Sequence, residues 1–141
     1  MSDSKVHWSF WTIAVLALFW NGMGAMNFIS QMGPNAIDQF PEKYQDIIRT
    51  RPVWGTWAFG IGAVTSVLGS VSLLFRRGIA KPLFIIAFLA VLVTLLPAAP
   101  VQLVSGEFST GEIILTVVMP ILVSIFLVWY SNRAKDRGVL T

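Results

Sequence analysis

Cysteine is absent from this chain of 141 residues, and histidine occurs only once, as His7. The absence of cysteine excludes disulfides, thiolate catalysis and cysteine-ligated metal sites. A single histidine also removes most metal and acid–base sites that are built on imidazoles, so we predict no metal site.

Charged residues are scarce as well. They make up 12% of the chain, whereas 55% of its residues are hydrophobic, and a soluble domain carries about twice that charged fraction. A domain of this length could not bury so much apolar surface in water, so we predict that lipid surrounds it. The net charge of +3 sits in clusters that indicate membrane topology, and we expect no nucleic-acid partner.

The remaining charged residues form no recognisable catalytic arrangement. No Asp, Glu, Lys or Arg falls in the interior of a predicted span, which argues against a proton-coupled pump, because such proteins place an ionisable group at membrane depth. Glu107 and Glu112 lie in or beside a loop, where a polar turn and a helix cap explain them better than an acid–base couple. No phosphate-binding glycine loop is present. We therefore predict that the protein is not an enzyme and has no cofactor.

Four apolar segments are long enough to cross a bilayer as helices, which rise about 1.5 Å per residue. The first is longer than a usual signal-peptide core and no convincing cleavage site follows it, so we expect it to be retained. The prediction is an all-α bundle of four transmembrane helices in a single integral membrane domain, residues 1–141. The spans cover about 8–32, 53–75, 82–104 and 112–130.

Small residues recur on one face of the second span. Glycine returns every seven residues along it, with an alanine and a serine falling between. Because residues at such spacings share one helix face, a neighbouring backbone can approach closely there. The predicted helix-packing face consists of Gly55, Ala58, Gly62, Ser66 and Gly69.

Amide side chains form a stripe along the first span. Asn21, Asn27 and Gln31 fall within about a third of the helix circumference, and Trp20 lies beside them. Exposing an amide side chain to lipid costs free energy because its hydrogen bonds are lost, so the stripe should point into the bundle. Hydrogen bonding between helices is the favoured interpretation, and a lining for a polar ligand is the alternative. The Trp20 indole would find a partner within the bundle or would stack on a ligand.

Two prolines interrupt the later spans. We predict kinks at Pro97 and Pro120, because proline removes a backbone donor and crowds the preceding turn. The carbonyls freed near Val93 and Thr94 would need a donor, which the Thr94 hydroxyl or an amide of the first span could supply.

The only long polar segment, residues 34–51, separates the first two spans. Tyr44, Ile47 and Ile48 fall on one side of a short helix there, and polar residues cover most of the other. This pattern predicts an amphipathic surface helix. It would either close one end of the bundle, which is the favoured interpretation, or dock a partner. Later in the chain, Ser109 and Glu112 match a capping box that starts the fourth span.

The distribution of basic residues predicts the topology. Three lie on one side of the membrane, within residues 34–51, and the other side holds seven. The positive-inside rule then places both termini in the cytoplasm. The seven are Lys5, Arg76, Arg77, Lys81, Arg133, Lys135 and Arg137.

Several short motifs occur across the first half of the chain. They are Trp20-Asn21-Gly22, Asn27-Phe28 with Gln31, Pro52 with Trp54 and Phe59, and Arg76-Arg77 with Ala80. In these motifs the chain resembles a group of small bacterial four-helix inner-membrane proteins. Those proteins are largely uncharacterised, and some carry an automatic sugar-transporter label. The resemblance implies a four-span protein of the bacterial inner membrane.

Three functions remain open from the sequence. The favoured one is an accessory or scaffolding subunit that binds membrane lipid and either other membrane subunits or further copies of itself. The second is an oligomeric facilitator for a small polar solute, with the amide stripe lining its path. The third is a lipid, quinone or pigment binder that uses Trp20, Phe28 and Phe59.

Overall fold

A computed structural model describes residues 6–141, and this part of the chain is helical with no strands. Four long helices are apolar enough to cross a membrane, which confirms the predicted four-helix architecture of a multi-pass membrane protein. A short surface helix connects the first two of them, as expected. The helices are α1 (Trp8–Ser30), α2 (Glu42–Thr50), α3 (Val53–Leu74), α4 (Ala80–Ser105) and α5 (Thr110–Asp136). Lys5, used in the topology count, lies outside the described residues.

Several helix boundaries differ by one or more residues from the predicted spans. α4 begins at Ala80, two residues before the predicted span at 82, and α5 continues to Asp136, six residues past the predicted 130. The extension of α5 is stabilised because Ser131 and Ala134 are still buried against the bundle. Basic side chains in its last turn also complement the negative end of the helix dipole.

The prolines of α4 and the proline of α5 affect the helix backbone differently. α4 runs through Pro97 and Pro100 without interruption. The Thr94 hydroxyl donates to the Ala90 carbonyl of its own helix at 2.7 Å. It therefore does not donate a hydrogen bond to the Val93 carbonyl, which Pro97 leaves without its usual backbone donor. In α5 the backbone irregularity is a π turn at Ile114–Val118, just before Pro120. The wider turn accommodates a residue that cannot donate a backbone hydrogen bond.

α3 is the central helix, because it packs against both α1 and α4, and α4 in turn packs against α5. The main apolar cluster lies at one end of the bundle, called here the basic end, where the α3–α4 connection and the carboxyl-terminal residues meet. All four long helices contribute to it. Its buried members are Phe10, Ala14, Ala17, Leu73, Ala80, Phe84, Leu127, Ala134 and Leu140.

The carboxyl-terminal segment, residues 137–141, folds back over the basic end. The Thr141 amide donates to the Arg76 carbonyl at 2.9 Å, and the Arg76 Nε donates to the Val139 carbonyl at 2.9 Å. Leu140 is only 5% exposed and belongs to the apolar cluster. Arg76 has a φ of 59°, which is rare for a residue with a side chain. These contacts therefore fix a sharp turn between α3 and α4.

Candidate functional site

The small residues of α3 are divided among three neighbours. A β-carbon on Gly69 would lie 2.8 Å from the ring of Phe84, and one on Gly62 would lie 3.1 Å from the Ala90 β-carbon, so both glycines admit α4 closely. Gly55 instead meets the side chain of Arg51 in the connection before α3. Ala58 is buried, and Ser66 is partly exposed and faces α1.

Asn21, a residue of α1, lies at the interface between α1 and α3. Its Nδ2 donates to the Ser70 hydroxyl at 2.8 Å and to the Ser66 carbonyl at 3.3 Å. The Ser70 hydroxyl itself donates to the Ser66 carbonyl at 2.8 Å. Asn21 is 9% exposed and Ser70 is fully buried. This part of the amide stripe therefore joins two helices and leaves little of Asn21 to meet a ligand.

The rest of the stripe lies at the opposite end of the bundle, called here the cap end. Asn27 is exposed, and its side-chain oxygen accepts from the Gln31 Nε2 at 3.2 Å. Gln31 is 9% exposed, and its oxygen accepts from the Arg51 Nη2 at 2.8 Å. The stripe thus divides into a helix-joining amide and a polar chain that leads to Arg51.

Arg51 lies between the ends of α1 and α3, and the sequence indicated for it only a place among the basic residues that predict the topology. Its Nε donates to the Thr56 hydroxyl at 3.2 Å, and its guanidinium carbon lies 5.2 Å from the centre of the Phe59 ring. Burial lowers the pKa of Arg51 from its usual value. The available signal was its position directly before Pro52, where an arginine side chain can run along the first turns of α3.

Of the three aromatic residues of the predicted apolar pocket, Trp20 lies apart from the other two. Trp20 lines a groove of about 430 Å³ between α1 and α5, together with Phe126 and Leu127. Phe28 contacts Phe59 instead, with ring centres 5.1 Å apart. These two rings lie on the α3 side of α1, so the structure does not join them to Trp20.

The surface helix α2 is fastened across the cap end. Lys43 pairs with the carboxylate of Glu112 at 2.7 Å, and the Tyr44 hydroxyl donates to the same carboxylate at 2.9 Å. The Tyr44 ring packs edge-on against Phe108. Burial, followed by the hydrogen bond to Glu112, raises the pKa of Tyr44 to about 12. Glu112 also forms a capping box with Ser109, as predicted. The arrangement agrees with a lid over the bundle end.

No helix within the described residues 6–141 covers the outer side of α1. Phe19, Met23 and Met26 are between 55% and 67% exposed. A shallow groove of about 660 Å³ follows this side, and all its lining residues belong to α1. They are Leu18, Phe19, Gly22, Met23, Met26, Asn27 and Ser30.

Residues 6–141 contain no group of three His, Asp or Glu side chains placed to hold a metal ion. Comparisons of this chain with protein-family models, with curated proteins and with solved structures found no match.

Proposed function

We propose that this protein is an accessory or scaffolding subunit of a bacterial cytoplasmic membrane that associates with other membrane helices through the outer side of α1. The partner is another membrane subunit or a further copy of this chain. Its role is to hold or organise that partner within the bilayer, without chemistry of its own.

The observation that carries this proposal is the one-sided packing of α1. Its buried residues, Phe10, Ala14, Ala17 and Asn21, form one narrow stripe, and no residue between 22 and 30 is buried. The remaining surface is rich in methionine, whose flexible side chain adapts to varied partners. Because lipid tails are as apolar as such a surface, association there would depend on close packing around Gly22 and on polar contacts at Asn27.

The charge distribution supports a topology with both termini in the cytoplasm. Arg76, Arg77 and Lys81 lie at the basic end, as do the basic residues of the last turn of α5. Lys43, Arg49 and Arg51 belong to the cap end, which we place on the opposite face of the membrane. Single cysteines introduced at Gly78 and at Asn35 test this arrangement. A membrane-impermeant thiol reagent added to intact cells should label Asn35→Cys and should leave Gly78→Cys unlabelled.

Site-specific photo-crosslinking in living cells tests the proposed association. A photoreactive amino acid at Met26 should produce a discrete product with one protein, which mass spectrometry identifies as another subunit or a second copy. The matched control position is Leu122 in α5, which is 53% exposed and lines neither of the two grooves. Leu122 should yield lipid adducts only.

Lipid adducts alone from both positions would contradict the proposed association. A similar spread of many protein products from Met26 and Leu122 would contradict it equally, because that pattern indicates random collision in the membrane.

A second candidate function, binding of a lipid, quinone or pigment, is favoured by the groove between α1 and α5. Its lining is apolar, and Trp20 offers an aromatic face there. Organic extraction of the purified protein, followed by mass spectrometry, should then release one defined molecule, and Trp20→Ala should lose it. The facilitator hypothesis receives no comparable support, because Asn21 is bonded within the bundle while Asn27 is exposed on α1.

A further inference from the structure

Arg51 differs from the other two basic residues of the cap end. Lys43 pairs with Glu112, and Arg49 pairs with Asp38. Arg51 forms no ion pair with a carboxylate of residues 6–141, although it is partly buried. Its side chain is held by neutral groups, namely the Gln31 side-chain oxygen Oε1, the Thr56 hydroxyl and the Phe59 ring. Residues 6–141 thus fix this cation in place and supply no counterion for its charge.

The donors of the guanidinium can be counted. Arginine carries about five N–H donors, and in this structure the Nε bond to Thr56 and one Nη2 bond to Gln31 use two of them. The two terminal nitrogens therefore keep about three donors, arranged as the fork that binds a phosphate through two parallel hydrogen bonds. Because the side chain is already oriented, an anion would find these donors preorganised.

The location of Arg51 suggests which anion is available. Exposed tryptophans follow it at the start of α3, where Trp54 and Trp57 are 53% and 69% exposed. Exposed tryptophans at the end of a span mark the level of the lipid headgroups. Arg51 extends along the same first turns of α3, towards Thr56 and Phe59. Its free donors therefore lie near the depth at which phospholipid phosphates occur.

We infer that Arg51 is the centre of a binding site for a phosphate group, supplied by a phospholipid headgroup of the leaflet that contacts the cap end. Gln31 and Thr56 are the positioning residues of this site, since they orient the guanidinium. The site adjoins the association surface on α1 through the Asn27–Gln31 contact. Its test measures lipid binding and not a protein partner, so either proposal can fail without the other.

Native mass spectrometry of the purified protein tests the inference with named lipids. Phosphatidylglycerol and a galactosyl diacylglycerol with the same acyl chains are compared, because the second lacks phosphate. The wild-type protein should retain phosphatidylglycerol about tenfold more tightly, as expected for a charge-assisted hydrogen-bonded pair. Equal retention of the two lipids by the wild type would overturn the site without recourse to any variant.

Three variants localise the effect. Arg51→Gln should reduce phosphatidylglycerol retention to that of the galactolipid, and Arg51→Lys should give an intermediate value, because lysine keeps the charge but loses the fork. Arg49→Gln is the matched control, since it makes the same change at an exposed residue of α2 and should bind as the wild type does. Undiminished retention by a folded Arg51→Gln protein would overturn the assignment.

Inorganic phosphate distinguishes the two sources of the group. If it leaves the lipid bound, the headgroup is the occupant, as we infer. If it displaces phosphatidylglycerol from the wild type but leaves the residual lipid on Arg51→Gln, the phosphate site is supported and free phosphate is identified as an occupant too.

Discussion

The side-chain amide of Asn21 in α1 donates a hydrogen bond to the hydroxyl of Ser70 in α3, and the two atoms are 2.8 Å apart. The contact joins the most deeply placed amide of the first span to the central helix. Ser70 is fully buried and relays the interaction to the Ser66 carbonyl. One polar contact thus sets the rotation of α1 about its own axis.

This contact predicts a measurable coupling between the two residues. In a double-mutant cycle of Asn21→Ala and Ser70→Ala, we expect a coupling free energy of about 0.6 kcal/mol and at most about 1.7 kcal/mol. The measurement is reversible unfolding in mixed micelles, followed by circular dichroism. Additive effects of the two substitutions would show that the bond does not stabilise the bundle.

Gly69 predicts a steric effect at the interface of α3 and α4. In Gly69→Ala the new β-carbon would lie 2.8 Å from the Phe84 ring, which is 2% exposed and has little room to move. We expect the free energy of unfolding to fall by about 1–3 kcal/mol. Gly24→Ala is the control, because nothing lies within 4 Å of that position. It should leave stability unchanged or raise it by up to about 1 kcal/mol. Equal effects at the two glycines would contradict the close approach of α4.

The sequence predicted the membrane architecture because length and hydropathy decide it locally. Four apolar stretches, a capping box at Ser109 and an amphipathic segment after the first span are all visible in the order of residues. A helix wheel also places Asn21 and Asn27 on neighbouring parts of one face. It cannot say which neighbour each amide meets, because that depends on how α1 crosses α3. In the structure only Asn21 reaches α3.

Two features depended on tertiary contacts that no local pattern reveals. Arg51 is separated from its partner Gln31 by 20 residues, so its orientation follows from the packing of two helix ends. Residues 137–141 resemble an ordinary polar tail, yet Leu140 inserts into a cluster built from all four long helices. In both cases the sequence supplies the chemistry, and the fold supplies the partner.

We predict that loss of the Glu112 carboxylate releases the surface helix α2 from the cap end. It accepts from Lys43, from Tyr44 and from the Ser109 backbone amide. Glu112→Ala removes all three acceptor contacts, so trypsin should cleave after Lys43 or Arg49 several-fold faster than in the wild type. Limited proteolysis in detergent measures this rate. Glu107→Ala, in the adjoining loop, is the control and should be cleaved at the wild-type rate. Unchanged cleavage of Glu112→Ala would show that other contacts hold α2.

Tyr44 predicts a dependence of stability on alkaline pH. Its pKa rises from 10.0 to about 12 in the folded protein, so the folded state keeps the proton longer than the unfolded state does. The stabilisation is complete below about pH 10 and is lost as the pH rises through 12. The free energy of unfolding of the wild type should therefore fall towards that of Tyr44→Phe across this interval. If the difference in unfolding free energy between the wild type and Tyr44→Phe stayed constant from about pH 9 to about pH 12, the raised pKa of Tyr44 would be contradicted.

Leu140 predicts that the carboxyl-terminal segment contributes to the stability of the whole bundle. It is 5% exposed and packs in the apolar cluster at the basic end, and the backbone amide of the adjacent Thr141 donates a hydrogen bond to the Arg76 carbonyl. Leu140→Ala should lower the free energy of unfolding by about 2 kcal/mol or more, since it removes buried methyl groups and leaves a cavity. Leu122→Ala makes the same change at a residue that is 53% exposed, and it should cost far less. Unfolding of both variants in mixed micelles gives the comparison. If Leu140→Ala and Leu122→Ala lower the free energy of unfolding equally, residues 137–141 do not stabilise the basic end. The turn at Arg76 must then be fixed by α3 and α4 alone.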